Sequence, residues 1–173
     1  MKLAWMGEYR DVVEKLIRYC NIYAAVYKKE AYRGTDVKIS YSQIQVVEYL
    51  LENEELHQNM AMIAGRLGIT RSAFTKLVNR LVEKGLLEKF HASDNRRDVI
   101  VQVTAQGRQV YADYSDFIYR EHFSKMFEAG QGIPRESLPA IAAMLGAGLR
   151  DDAPNTPCKE VPKLIPVEKK TGC

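Results

Sequence analysis

Cysteine is scarce in this chain of 173 residues, with three thiols, Cys20, Cys158 and Cys173, far apart in the sequence. So few, so scattered, they exclude a disulfide framework, and none pairs with another at metal-ligand spacing. No apolar run approaches the roughly 20 residues needed to cross a bilayer. The first ten residues hold no uninterrupted apolar stretch, so no signal peptide is expected and a cytoplasmic location follows. The three histidines, His57, His91 and His122, are dispersed, and there is no Gly-rich phosphate loop, metal pair or nucleophile motif. Catalysis therefore has no visible foundation, and neither an enzyme nor a cofactor is expected. Proline is thin as well: four of the six, Pro154, Pro157, Pro162 and Pro166, fall in residues 151–173 among charges, which reads as a tail without regular structure that packs, if at all, through Val161, Leu164 and Ile165.

What is present is an ordinary globular composition, 46% hydrophobic and 27% charged, with a net charge of +3. That charge is unevenly placed. Residues 66–97 hold eight basic side chains (Arg66, Arg71, Lys76, Arg80, Lys84, Lys89, Arg96 and Arg97) against Glu83, Glu88 and Asp94, a net +5 in a remainder of −2. A basic module in a slightly acidic chain points to a polyanionic partner.

Apolar periodicity organises the rest. Val12, Val13, Leu16, Ile17, Cys20, Tyr23, Ala24 and Tyr27 predict an amphipathic helix over residues 8–31, ended by Gly34 and Thr35. A second helix is expected from an N-cap at Ser42 to Glu52. Two short helices follow in close succession, residues 59–67 and 71–84, with Gly68 and Ile69 between them and Thr70 as N-cap of the second: the pattern of a helix-turn-helix. Gly85 suits the C-terminal cap. The period then drops to about two, giving strands at 86–91 and 98–103 joined by a polar, basic loop over 92–97. Helix-turn-helix plus hairpin is a winged helix. Thr104 caps a long fifth helix reaching Gly130 to Gly132, and a last helix starts near Pro134 to Ser137, with Pro139 in its first turn, and runs to Leu149. The fold class is thus mainly α with a small β element (α+β): a dimer-body helix at 1–41, a winged helix-turn-helix at 42–103, C-terminal dimerisation helices at 104–150 and a tail at 151–173.

The 71–84 helix has two faces. Phe74, Leu77, Val78, Leu81 and Val82 form the stripe that buries. Opposite them stand Arg71, Ser72, Thr75, Lys76, Asn79 and Arg80, the donors that a helix needs in a major groove: Arg and Lys pair with guanine edges, Asn with adenine, Ser and Thr with bases or phosphates. A protein–protein adaptor built on the same fold would not need this acid-free face or a basic wing.

The segments IAGRLGITRSAFTKLVNRLVEKGLLEK and SDNRRDVIVQVTAQG resemble the MarR family of bacterial regulators, and the resemblance extends over about residues 8–149. In that family the second stretch usually reads Asp-x-Arg, alternating apolar residues, then Leu-Thr-x-x-Gly; here Asn95, Arg96, Arg97, Val103, Thr104 and Gly107 fall in register. Two departures touch the family's usual wing salt bridge: Asn95 stands where Asp is usual, with Asp94 one residue early, and Lys89 stands where Arg is common. The resemblance implies a transcriptional regulator, most often a repressor, that binds double-stranded DNA as a homodimer built from the first and last two helices, with Arg97 or Arg96 in the minor groove. It also implies release by a small, often aromatic, effector or by an oxidant. Tyr19, Tyr23, Tyr27 and Tyr32 either line such a cleft or pack a dimer core. Cys20 is either a peroxide-sensing thiol or a buried inert one.

Overall fold

The computed structural model describes residues 4–92, 99–148 and 164–167. Seven helices and a three-stranded sheet are defined there: α1 (Arg10–Val26), α2 (Tyr41–Glu52), α3 (Met60–Arg66), α4 (Arg71–Glu83), β1 (Leu87–Ala92), β2 (Val99–Val103), α5 (Ala105–Ile118), α6 (Ser124–Ala129), α7 (Leu138–Gly146) and β3 (Leu164–Pro166). None of these helices is long and apolar enough to cross a membrane.

Local chemistry sets most boundaries. Asn59, Thr70 and Thr104 each accept a backbone N–H from the first turn of α3, α4 and α5, satisfying donors that a helix start leaves unpaired. The N-cap of α2 is Ser40, not Ser42: Ser40 and Gln43 exchange side-chain and backbone bonds in a capping box. The Ser42 N–H instead donates to the carbonyl of Tyr27, 3.2 Å away. That contact lies just beyond α1, which stops at Val26, short of the expected 31; Ala31 goes on to pair with Ile39 as an isolated bridge.

The core forms where α2, α3, α4, α5 and the hairpin meet. Phe74, Val78 and Leu81 from α4 are fully buried against Ile39, Val46, Val47, Ile63, Leu86 and Val110. Burying aliphatic and aromatic side chains stabilises by about 1.5 to 3 kcal/mol each, so this cluster carries the module. Gly107 makes the α5–hairpin junction possible: a Cβ there would lie 2.3 Å from the Leu86 carbonyl oxygen.

Two expectations are corrected. The fifth helix is not continuous: α5 passes through a π-helical turn at Tyr119–Phe123 into α6. The tail is not wholly irregular either, because β3 pairs antiparallel with β1 and the sheet order is β2-β1-β3. The expected last helix ends at Gly146, with Pro139 in its first turn. Outside the module, burial disappears. No residue of α1, α6 or α7 is buried in the single chain, and Ile22 and Phe127 are 60% and 57% exposed.

Candidate nucleic-acid interface

The turn between α3 and α4 is built from two backbone bonds. The Gly68 N–H donates to the Gly65 carbonyl and the Ile69 N–H to that of Ala64, with Gly68 at φ +64°, a Schellman closure that satisfies the end of α3 and redirects the chain. The same pair of bonds ends α4: the Gly85 N–H donates to Val82, the Leu86 N–H to Leu81, with Gly85 at φ +73°. Glycine takes that left-handed conformation without the steric cost of a Cβ. Helix α4 is therefore fixed at both ends by its own sequence.

Its faces separate as the periodicity predicts. Phe74, Val78 and Leu81 point into the core, while Arg71, Ser72, Thr75, Lys76, Asn79 and Arg80 are all exposed on the other side. The face is partly organised: Thr75 Oγ1 donates to the Arg71 carbonyl at 2.9 Å, and Lys89 Nζ from β1 donates to Asn79 Oδ1. No acidic side chain intervenes among these six. The wing residues Arg96 and Arg97, with Asp94 and Asn95, lie outside the described residues.

Lys84 behaves differently from the other bases of this segment. Its Nζ is half-buried, 2.9 Å from Glu30 Oε1 and 3.1 Å from Gln43 Oε1, and it also donates to the Lys38 carbonyl. It ties the end of α4 to the loop after α1 and to the start of α2. The hydrogen bond from Lys84 holds the Glu30 carboxyl below its ordinary value. Sequence reading counted Lys84 only as part of the charge run; nothing in the local pattern signals a partner 54 positions away.

A second feature lies between α1, α2 and α5: a cavity of about 350 Å³ with Tyr19, Tyr23, Tyr41, Tyr111, Tyr114 and Glu48 in its wall. Tyr111 donates to Glu48 Oε1 at 2.9 Å. Burial, before any neighbouring charge, pushes the Tyr23 and Tyr111 phenols up to about 12 and raises those of Tyr27 and Tyr114. The phenols are thus neutral at physiological pH. Of the tyrosines singled out in the sequence, Tyr19 and Tyr23 line the cavity, Tyr27 packs tilted against Tyr23 and donates to Gln45, and Tyr32 lies outside the lining with Lys38 over its ring. Tyr41, Tyr111 and Tyr114 were missed, because they reach the cavity from helices far away in sequence. Cys20 is an exposed thiol in the single chain, on α1, none of whose residues is buried there.

Residues 37–97 match the family model described as the MarR family. Among solved structures, the chain is similar to the transcriptional regulator BldR from Sulfolobus solfataricus, at 25% identity and a TM-score of 0.62, over 82% of this chain and 99% of that one. It also shares its fold with Streptococcus pneumoniae FabT, crystallised in complex with DNA, at 20% identity and a TM-score of 0.58, over 81% and 94% of the two chains. Among curated sequences it is 28% identical over 75 residues to the HTH-type transcriptional regulator YfiV of Bacillus subtilis, a match covering 43% of this chain but only 47%, about half, of that relative. BldR and YfiV are both described as transcriptional regulators. Residues 37–97 of this chain therefore match the MarR family, and its described fold is similar to that of a solved transcriptional regulator.

Proposed function

We propose that the protein is a homodimeric repressor that acts in the cytoplasm on double-stranded DNA, reading a pseudo-palindromic site with α4 in the major groove and the 92–97 wing in the minor groove. The observation that carries this reading is the face of α4: six exposed donors, Arg71, Ser72, Thr75, Lys76, Asn79 and Arg80, opposite a stripe whose Phe74, Val78 and Leu81 are fully buried. A helix held by its apolar side presents its polar side as a rigid unit, which is what base readout needs. FabT, which shares the fold, was crystallised with DNA, and that supports the same use here. Arg96 and Arg97 are proposed to enter the minor groove, where the negative potential favours them.

Dimerisation is supported by α1, α6 and α7, whose apolar residues find no cover within one chain: Ile17, Ile22, Phe127, Leu138 and Leu145 are all exposed. Apolar surface on this scale marks an interface. A symmetric dimer would set the two α4 helices about 34 to 36 Å apart, one turn of DNA.

The tyrosine-lined cavity supports release by a small aromatic effector, since it lies between α1 of the proposed dimer body and α2 of the winged module. Tyr23 would contact it directly and Tyr27 would act through Tyr23 and Gln45. Cys20 is the alternative, oxidant-sensing element. A peroxide response of DNA affinity that Cys20→Ser abolishes would favour the oxidant; an affinity indifferent to peroxide would eliminate it.

The test of the central claim is genomic binding-site selection at a stated salt concentration, with wild type, Lys76→Ala and Arg97→Ala. A short pseudo-palindrome, weakened by both changes, is the expected result. No enrichment by the wild type would sink the DNA-binding reading and leave a protein-adaptor role.

A further inference from the structure

β1 is the middle strand of the sheet, and its outer edge is covered by residues from the far end of the chain. The register pairs Phe90 with Pro166, His91 with Ile165 and Ala92 with Leu164, and the Val167 N–H donates to the Lys89 carbonyl at 2.9 Å. In an antiparallel ladder, pairs that exchange N–H···O bonds alternate with pairs that do not. His91–Ile165 is therefore a bonded pair and Phe90–Pro166 an unbonded one, while Val167 adds a single bond, from its N–H to the Lys89 carbonyl. Pro166 falls where its missing N–H would have pointed to solvent, so it costs the ladder nothing and blunts the new edge against further strands. Leu-Ile-Pro-Val is suited to be the last strand of a sheet at this register.

The segment is lightly anchored, with Ile165 42% exposed, although Pro166 and Val167 share a cleft with Val82, Leu87 and Phe90 at the base of α4. It leaves the donor face of α4 uncovered, so it does not mask that face. What it grips is the strand from which Lys89 reaches Asn79 on α4. A two-stranded hairpin is marginal by itself, and a third strand that orders it in advance removes part of the ordering cost of binding.

We propose that the outer edge of β1 is a strand-acceptor site whose occupant is this chain's own 164–167 segment, and that the docked strand belongs to the DNA-binding unit, bracing the wing and the Lys89–Asn79 contact. The second half of this proposal rests on the DNA-binding reading above.

Two variants of the full chain test it: one ending at residue 163, and Val167→Pro, which removes the donor to Lys89 and keeps every charge. Amide hydrogen exchange is read at His91, whose N–H faces Ile165 in the bonded pair, and affinity is measured on the selected operator duplex. In both variants the His91 amide should exchange at least about tenfold faster while those of α4 are unchanged. Operator affinity should fall about five- to tenfold, with the salt dependence of Val167→Pro as in the wild type. Unchanged exchange in both variants would overturn the docking; faster exchange with unaltered affinity would overturn its role in DNA binding. Failure of the wild type to bind any duplex would overturn that role together with the DNA-binding reading, and the exchange rates would still decide the docking separately.

Discussion

Lys84 Nζ, at the end of the candidate recognition helix, lies 2.9 Å from Glu30 Oε1 in the loop that follows α1. This bond links the element proposed to read DNA to the part of the chain leading from the proposed dimer body. Gln43, held in the capping box of α2, donates from Nε2 to the same Glu30 oxygen at 2.8 Å. Three segments converge on one carboxylate.

Glu30 is held below its ordinary value of 4.5, so its pairing contributes stability that is present above that value and lost as the pH falls through the lowered one. The pair is partly solvated, which limits its contribution to about 1 kcal/mol or less. Glu30→Gln is expected to lower the urea midpoint at neutral pH, and the difference from wild type should shrink at acid pH. An equal difference at both ends of the titration would mean the charge is irrelevant.

Gly107→Ala should destabilise the module by about 1 to 3 kcal/mol, because its Cβ would meet the Leu86 carbonyl oxygen at 2.3 Å and Val103 Cγ1 at 2.7 Å. The carbonyl is backbone and cannot swing aside. Chemical denaturation with unchanged m-value is the measurement.

Tyrosine ionisation offers a check on the cavity. Tyr23 and Tyr111 carry phenols pushed up to about 12 by burial, so protonated tyrosine is favoured in the fold. That stability is complete below the ordinary value of 10 and is lost as the pH rises through 12. A tyrosinate absorbance titration should show a fraction of the ten tyrosines ionising late, and Tyr111→Phe should reduce that fraction.

On the interface, Lys76→Ala and Arg80→Ala should each lower the salt slope of operator binding by about 1 if the side chain contacts phosphate. Asn79→Ala should instead cost about 1 to 3 kcal/mol at one base position and relax specificity there. Identical, sequence-uniform losses for all three would rule out base readout by Asn79.

Much of the module was legible in the sequence. Thr70, Gly68 and Gly85 act within one helical turn, so their partners are known as soon as the helix is. The Phe74, Val78, Leu81 stripe was readable for the same reason, and it placed the opposite donor face. The end of α1 was not: its apolar pattern continues through Tyr27, yet the Tyr27 carbonyl is taken by Ser42 from the next helix. Nor was the N-cap of α2, where two serines compete and the capping box with Gln43 chooses Ser40. The break at Tyr119–Phe123 interrupts an aromatic run whose periodicity is unchanged by one wider turn.

The sequence by itself determined the element types from α2 to β2, the caps around α4 and the chemistry of its exposed face, because those depend on residues at most one turn apart. Only the tertiary structure decided that Lys84 meets Glu30, that tyrosines from α1, α2 and α5 enclose one cavity, and that Leu164–Pro166 closes the edge of β1. Each of these joins residues separated by tens of positions. Such partners are selected by chain topology and packing, which no local periodicity encodes.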